Sequence, residues 1–380
     1  MRLGDGRIYL DCNATTPLDP EVAAELARAG AASFGNPSSP YGEGRVARET
    51  LERGRSEVAG LVGCMPGEIV FTGSATEANH LALRSAATAR PGRRRVLLTA
   101  IEHPSVWEQR GPLEALGCAV EEIPVTREGA VDPAALESML GPDVAVVSVM
   151  TAHNETGVLQ PVAEVGRLCE RHGAYFHTDA VQAVGKTGSP WASACPHYLA
   201  AAAHKLYGPK GIGALAARSS SPLEPMLRGG GQERGLRAST EAVPLAAAFG
   251  AASRRAMEAM EAVARLGALR DRMERELVAR FGAVVHGGGA SRLPNTSFFS
   301  LPSVQGAAVA QALDEAGIAV GTGSACHGAG LGLPRVLHKM GVNPALGAGT
   351  LRVSLGRASS DGDVNAFLGA LPGALGRARN

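Results

Sequence analysis

Charge of one sign is missing from this 380-residue chain: 37 Lys and Arg stand against 36 Asp and Glu, a formal net charge of +1. Nothing overall pulls it toward nucleic acid or an anionic membrane. The local run Arg93-Arg94-Arg95 reads as a solvated loop. No apolar stretch is long and charge-free enough to span a bilayer, and Met1 to Gly6 carries no apolar core of a secretory signal, so a cytoplasmic location is expected. The six cysteines, at 12, 64, 118, 169, 195 and 326, show no C-x-x-C spacing and no Cys/His cluster. A metal site is therefore not expected. Five of them sit among apolar or small residues and read as small buried hydrophobes, whereas Cys326 differs. Repeats and low-complexity tracts are absent too.

What is present is enough apolar content, 45%, to fill more than one simple core, which predicts a large domain and a smaller one. Short β-rich runs at 69–71, 95–98, 119–123, 144–149, 175–177, 197–201 and 213–215 alternate with helical patterns at 75–89, 105–116, 133–140 and 162–172. That alternation predicts an α/β body, doubly wound around a mostly parallel sheet. A long helical pattern over 243–281 follows the cluster Gly229-Gly230-Gly231 and leads into a remainder with strand-like 297–300 and 351–354, read as a small α+β domain.

Several segments carry residues suited to chemistry. Ala203-His204-Lys205-Leu206-Tyr207-Gly208-Pro209-Lys210-Gly211 places a lysine after an apolar run. Partial burial lowers an amine's pKa and frees it as nucleophile and base, so Lys205 is either a Schiff-base lysine or a surface residue in a turn. Asp179 ends the 175–179 run, where ligands of open α/β sheets collect. A buried carboxylate there calls for a cationic partner such as a protonated pyridinium, the alternative being an N-cap of the next segment. Ser74-Ala75-Thr76-Glu77-Ala78-Asn79 opens a helix after a strand and suits either phosphate binding or ordinary capping. His103 and His153-Asn154-Glu155 also follow strands, His103 being placed to stack on a flat ring, to relay protons near neutral pH as a catalytic residue, or to serve structure alone. Cys326, within Gly321-Thr322-Gly323-Ser324-Ala325-Cys326-His327-Gly328-Ala329-Gly330, is a thiol on a glycine-rich loop and suits a nucleophile that reaches out and withdraws. Arg352 offers either a fork for a carboxylate or a surface ion pair.

In this order the segments resemble the cysteine desulfurases and their relatives the selenocysteine lyases, pyridoxal-phosphate enzymes of the class V aminotransferase group with fold type I. The resemblance covers nearly the whole chain, from Tyr9-Leu10-Asp11-Cys12-Asn13-Ala14-Thr15-Thr16-Pro17 and Gly35-Asn36-Pro37-Ser38-Ser39 to Gly231-Gln232-Glu233-Arg234, Arg292-Leu293-Pro294-Asn295-Thr296 and the Cys326 loop. It implies a large domain over residues 16–255 with a mostly parallel seven-stranded sheet, and a small domain of residues 1–15 and 256–380 that carries the Cys326 loop. It implies pyridoxal 5′-phosphate in Schiff-base linkage to Lys205. Asp179 would face the ring nitrogen, Gln182 the ring hydroxyl, and His103 would stack on the ring. Ala75, Thr76 and His204 would hold the phosphate, with Thr240 reaching it from the second subunit of a homodimer. Asn154 and Arg352 would orient the substrate. Lys205 would then remove the substrate's Cα proton, and the Cys326 thiolate would take sulfur from L-cysteine, leaving a persulfide and L-alanine for transfer to an acceptor protein. The alternative substrate is L-selenocysteine.

The chain departs from the pattern in places. Ala202 stands where many desulfurases carry a serine, which removes one phosphate hydroxyl. Cys12 stands where Tyr or Asn is usual, and Pro104 follows His103 near the substrate's chalcogen. Residues 36–41, 231–234 and 325–327 look closer to the selenocysteine lyases, and 208–213 closer to the bacterial desulfurases.

Overall fold

The computed structural model describes residues 1–322 and 333–379, so Cys326 lies outside the described residues. Its main sheet has seven strands in the order Ile69–Thr72, Gly213–Ala217, Tyr198–Ala202, Tyr175–Asp179, Val144–Ser148, Arg95–Thr99, Ala119–Ile123. The last five pair in parallel, while Gly213–Ala217 runs antiparallel to both of its neighbours. Strand side chains alternate between faces. Ile69, Phe71, Leu199 and Ala201 therefore pack with the helices Gly42–Val62 and Val243–Glu258. Val70, Tyr198 and Ala200 point the other way, into a layer with the Ala75–Thr88 helix. Both faces are covered, which is why strands such as Val144–Ser148, Tyr198–Ala202 and Gly213–Ala217 are buried and mostly apolar or small, whereas the buried Tyr175–Asp179 ends in His177, Thr178 and Asp179.

A second, four-stranded sheet places Thr296–Ser300 between Val284–Val285 and Thr350–Ser354, with Gly321–Thr322 on the far edge. The helices Leu266–Phe281, Gly306–Glu315 and Asp361–Arg379 bury it in a separate apolar cluster. The N-terminal strand Ile8–Tyr9 pairs in parallel with Ile318–Ala319. Residues 9–16 then cross from this unit to the large sheet.

Some local expectations change. The 105–116 pattern forms two short helices, Pro104–Trp107 and Arg110–Ala115, because Pro112 has no N–H to continue the ladder back to Glu108. The 243–281 pattern forms three, Val243–Glu258, Met260–Ala264 and Leu266–Phe281, since its two ends bury against different cores. Arg93-Arg94-Arg95 is a solvated loop only in part, at the exposed Arg94. Arg93 donates to Val144 O at 2.9 Å and His172 O at 3.1 Å, and Arg95 opens a strand and pairs with Glu121 and Asp143. Cys195 is exposed at φ 46° and Cys64 half-buried, against their reading as core residues, while Cys12, Cys118 and Cys169 are buried.

The Gly42–Val62 and Val243–Glu258 helices touch backbone to backbone at Gly54 and Gly250. A Cβ on Gly54 would stand 2.5 Å from Ala246 O and 2.8 Å from Ala246 C. Gly54→Ala is expected to lower stability by about 1–3 kcal/mol. Gly60→Ala, on the exposed side of the same helix with only Met257 Cε at 3.9 Å, should raise it by about 0.5–1 kcal/mol. Thermal unfolding of the two variants checks both signs.

Candidate active site

The carboxyl ends of five strands converge, as ligand sites of open α/β sheets do. Ser74 to Thr76 follow Ile69–Thr72, His103 follows Arg95–Thr99, and Asn154 follows Val144–Ser148. Asp179 closes its own strand, and Lys205 follows Tyr198–Ala202.

Lys205 ends the 3₁₀ turn Ala203–Lys205 and sends Nζ to Asn13 O and Ala14 O, both at 2.6 Å. The chain that receives it is pinned in turn. Thr16 N and Oγ1 donate to His204 O, each at 3.0 Å, and Thr16 Oγ1 accepts from Tyr207 N at 2.7 Å. His204 Nδ1 lies 3.1 Å from Thr15 Oγ1, and burial with Lys205 and Lys210 nearby pushes its pKa down to about 4. His204 is thus a neutral ring at physiological pH.

Asp179 is buried. Oδ1 accepts from Val181 N at 3.0 Å, the capping role open in the sequence, while Oδ2 accepts from Asn79 Nδ2 at 2.8 Å. Asn79 extends the network: its amide also donates to Ser105 Oγ at 2.9 Å, and its Oδ1 meets His177 Nε2 at 3.1 Å. Ser105 Oγ stands 2.8 Å from His103 Nδ1, which also accepts from Ser105 N at 3.1 Å. His103 is therefore oriented from behind. Burial lowers its pKa, opposed by Asp179 and assisted by Lys205.

At the Ala75–Thr88 helix, Ser74 is the cap, accepting from Glu77 N at 3.2 Å. That leaves Thr76 exposed, its hydroxyl bonded to nothing among the described residues. Gly213 abuts this helix start, for a Cβ there would lie 2.5 Å from Ala75 N. Arg352 is buried rather than a surface ion pair, with Nε and Nη2 on Asp11 Oδ1 at 3.2 and 2.8 Å and Nη1 on Asn154 O at 3.0 Å. Gln182 Nε2 donates to Asn13 O at 2.9 Å. Thr240 stands apart, exposed beside Ser239, whose φ is 101°. Ala202 is buried and adds no donor, as its side chain requires.

This donor set fits pyridoxal phosphate. A buried carboxylate held only by neutral donors suits a cationic ring nitrogen, a helix start with an open hydroxyl suits a phosphate, and an amine stands beside them. Residues outside the candidate set also matter. Asn13 and Asn79 hold the cluster together; both lie in segments singled out in the sequence, yet no role was read for either side chain. Glu102 accepts at Oε1 from Thr99 Oγ1 at 2.9 Å and Met150 N at 2.8 Å, while its buried Oε2 has no hydrogen-bond partner among the described residues. With Pro104, Asn154, Glu155 and Arg335 it lines a cavity of about 500 Å³.

Residues 8–367 match the aminotransferase class-V family. The chain is 40% identical to a cysteine desulfurase of Cereibacter sphaeroides, over 96% of this chain and 95% of that one. It is 38% identical to the cysteine desulfurase NifS of Azotobacter vinelandii, over 98% and 94%. A solved NifS-like protein superposes with TM-score 0.91 at 34% identity, over 97% of this chain and 99% of that one.

Burial and, secondarily, the Asp179 charge push Glu102 from 4.5 up to about 8. The folded protein holds this proton more tightly than the unfolded chain, so the contribution is present below about pH 4.5 and lost as pH rises through 8. Glu102→Gln keeps the neutral form. Its stability relative to the parent is expected to rise by about 4 kcal/mol between pH 5 and pH 8.5. Denaturant midpoints of both proteins at the two pH values check this, and a pH-independent difference would contradict it.

Proposed function

The chain belongs to the class V aminotransferase family, and on that premise we propose that it is a cysteine desulfurase using pyridoxal 5′-phosphate on Lys205. The observation that carries the reading is the convergence of the Lys205 amine, the buried Asp179 carboxylate and the Ala75–Thr76 helix start at one end of the sheet. The relatives named above are cysteine desulfurases, which favours L-cysteine over L-selenocysteine.

Pyridoxal phosphate, when bound, supplies a ring that absorbs the negative charge developing at the substrate's Cα. The chain's residues do the rest. Asp179, held by Asn79 and Val181, would favour a positive charge on the ring nitrogen. His103, fixed through Nδ1 by Ser105, would stack on the ring, and Gln182 would contact its hydroxyl. Ala75, Thr76 and His204 would hold the phosphate, with one hydroxyl fewer at Ala202. Lys205 Nζ takes the proton from the substrate's Cα. Arg352 and Asn154 receive the substrate carboxylate, and the Asp11 pair keeps the guanidinium from swinging. Cys326 Sγ attacks the substrate sulfur: the S–S bond forms, the Cβ–S bond breaks with its electrons left on carbon, Cβ is protonated, and return of the proton from Lys205 Nζ to Cα gives L-alanine.

The same reading divides the chain into residues 16–255 and a small unit of 1–15 with 256–380. It pairs two copies, so that the exposed Thr240 reaches the partner's phosphate site. Exposed Phe34, Tyr41 and Val46 near the start of the Gly42–Val62 helix support such pairing. A sulfur-acceptor protein completes the cycle. Among the described residues no helix is long and apolar enough to cross a membrane, and we place the enzyme in the cytoplasm.

Cys326→Ser is expected to keep the bound cofactor's colour but to lose at least about 100-fold in alanine release from L-cysteine and to form no persulfide. Alanine assay and intact mass check both. Full desulfurase turnover in this variant would overturn the assignment.

A further inference from the structure

Lys186 belongs to none of the roles above, yet it lines a small cavity with Lys205, Cys12, Thr16, Tyr207 and Asn295. Its Nζ donates to Gln182 Oε1 at 2.7 Å and to Asn13 Oδ1 at 3.0 Å. Among the described residues it forms no ion pair, and Lys205, Cys12 and Arg352 are the charged or titratable groups that act on it. An amine placed on two neutral carbonyls, near two other cations, is not there for a salt bridge. Lysine nitrogen gives hydrogen bonds to both acceptors whether charged or neutral. The carbonyl of Gln182 must therefore face Lys186, and the NH₂ must face away.

That NH₂ lands on Asn13 O at 2.9 Å, and Lys205 Nζ lands on the same oxygen at 2.6 Å. The two nitrogens share one acceptor, so the Gln182 amide nitrogen lies beside the amine that would carry the cofactor. We propose that Lys186 is a positioning residue that fixes the Gln182 amide with Nε2, not Oε1, toward the ring oxygen of pyridoxal phosphate. This rests on the reading of the site given above. A donor on that oxygen withdraws its negative charge and eases loss of the proton from the Lys205 linkage. Without Lys186 the amide is free to turn its carbonyl to an anionic oxygen.

The test is the visible absorbance of protein reconstituted with pyridoxal phosphate, followed against pH. Lys186→Met is expected to titrate about one pH unit higher than the parent, a tenfold change in proton affinity. Lys186→Arg, which keeps the donors, should titrate like the parent. Gln182→Glu, which cannot donate while Lys186 is intact, should also titrate higher and serves if Lys186→Met does not fold. Coloured Lys186→Met or Gln182→Glu protein that titrates with the parent overturns this inference alone. A parent protein that takes up no cofactor overturns the proposed function beneath it.

Discussion

One residue's main chain and side chain hold the two halves of the site together. Asn13 O receives Lys205 and Gln182, Asn13 Oδ1 receives Lys186 and Asn295, and Asn13 Nδ2 gives to Asn154 O and Thr296 Oγ1. Its own amide donates to Ser354 Oγ at 2.9 Å. Thr296, Asn295 and Ser354 belong to the smaller sheet's core strand and its surroundings, whereas Lys205, Gln182 and Asn154 follow strands of the large sheet. Such a buried network is strong only when every member is satisfied. The crossing segment is thereby fixed from both sides, and with it the reach of the Lys205 amine.

A second network does for the ring pocket what Asn13 does for the amine. Asn79 ties Asp179, Ser105 and His177 together, and Ser148 Oγ meets His177 Nδ1 at 2.8 Å from the adjacent strand. Burial drives His177 down to about 4, so this ring is a neutral spacer rather than a competing cation. The hydrogen bonds to the Asp179 carboxylate come from the neutral Asn79 amide and Val181 N. The electrostatics are arranged by excluding other positive partners as much as by presenting the carboxylate.

The loop that carries Glu233 shows how the body supports the rim. Glu233 and Arg234 adopt φ of 46° and 60°, a left-handed geometry that costs energy for residues with side chains. Arg55 holds Glu233 through a buried pair, 2.7 and 2.8 Å, and Glu233 also accepts from Phe71 N at 3.0 Å. The segment leading to Thr240 is therefore anchored to the first strand of the large sheet.

The alternation of short β-rich runs with helical patterns made all seven strands of the large sheet legible, because most of them are buried on both faces and carry a short, dense apolar signal, the edge strand Ala119–Ile123 with its two glutamates being the exception. Lys205, Asp179 and the Ser74–Thr76 turn were legible for a related reason: each directly follows or ends such a run, and open sheets gather ligands at that end. The positioning residues were not. Asn13 lies in an irregular segment, Asn79 looks like any polar residue of a helix, and Lys186 like a surface lysine, since no period or cap distinguishes them. Most of their partners are distant in the chain, such as His177, 98 residues from Asn79, and Asn295, 282 residues from Asn13. The linear chain determined which chemistry was on hand, through residue type and strand order. Only the tertiary structure decided which way that chemistry points, because a hydrogen bond's direction is set by groups the chain meets after folding.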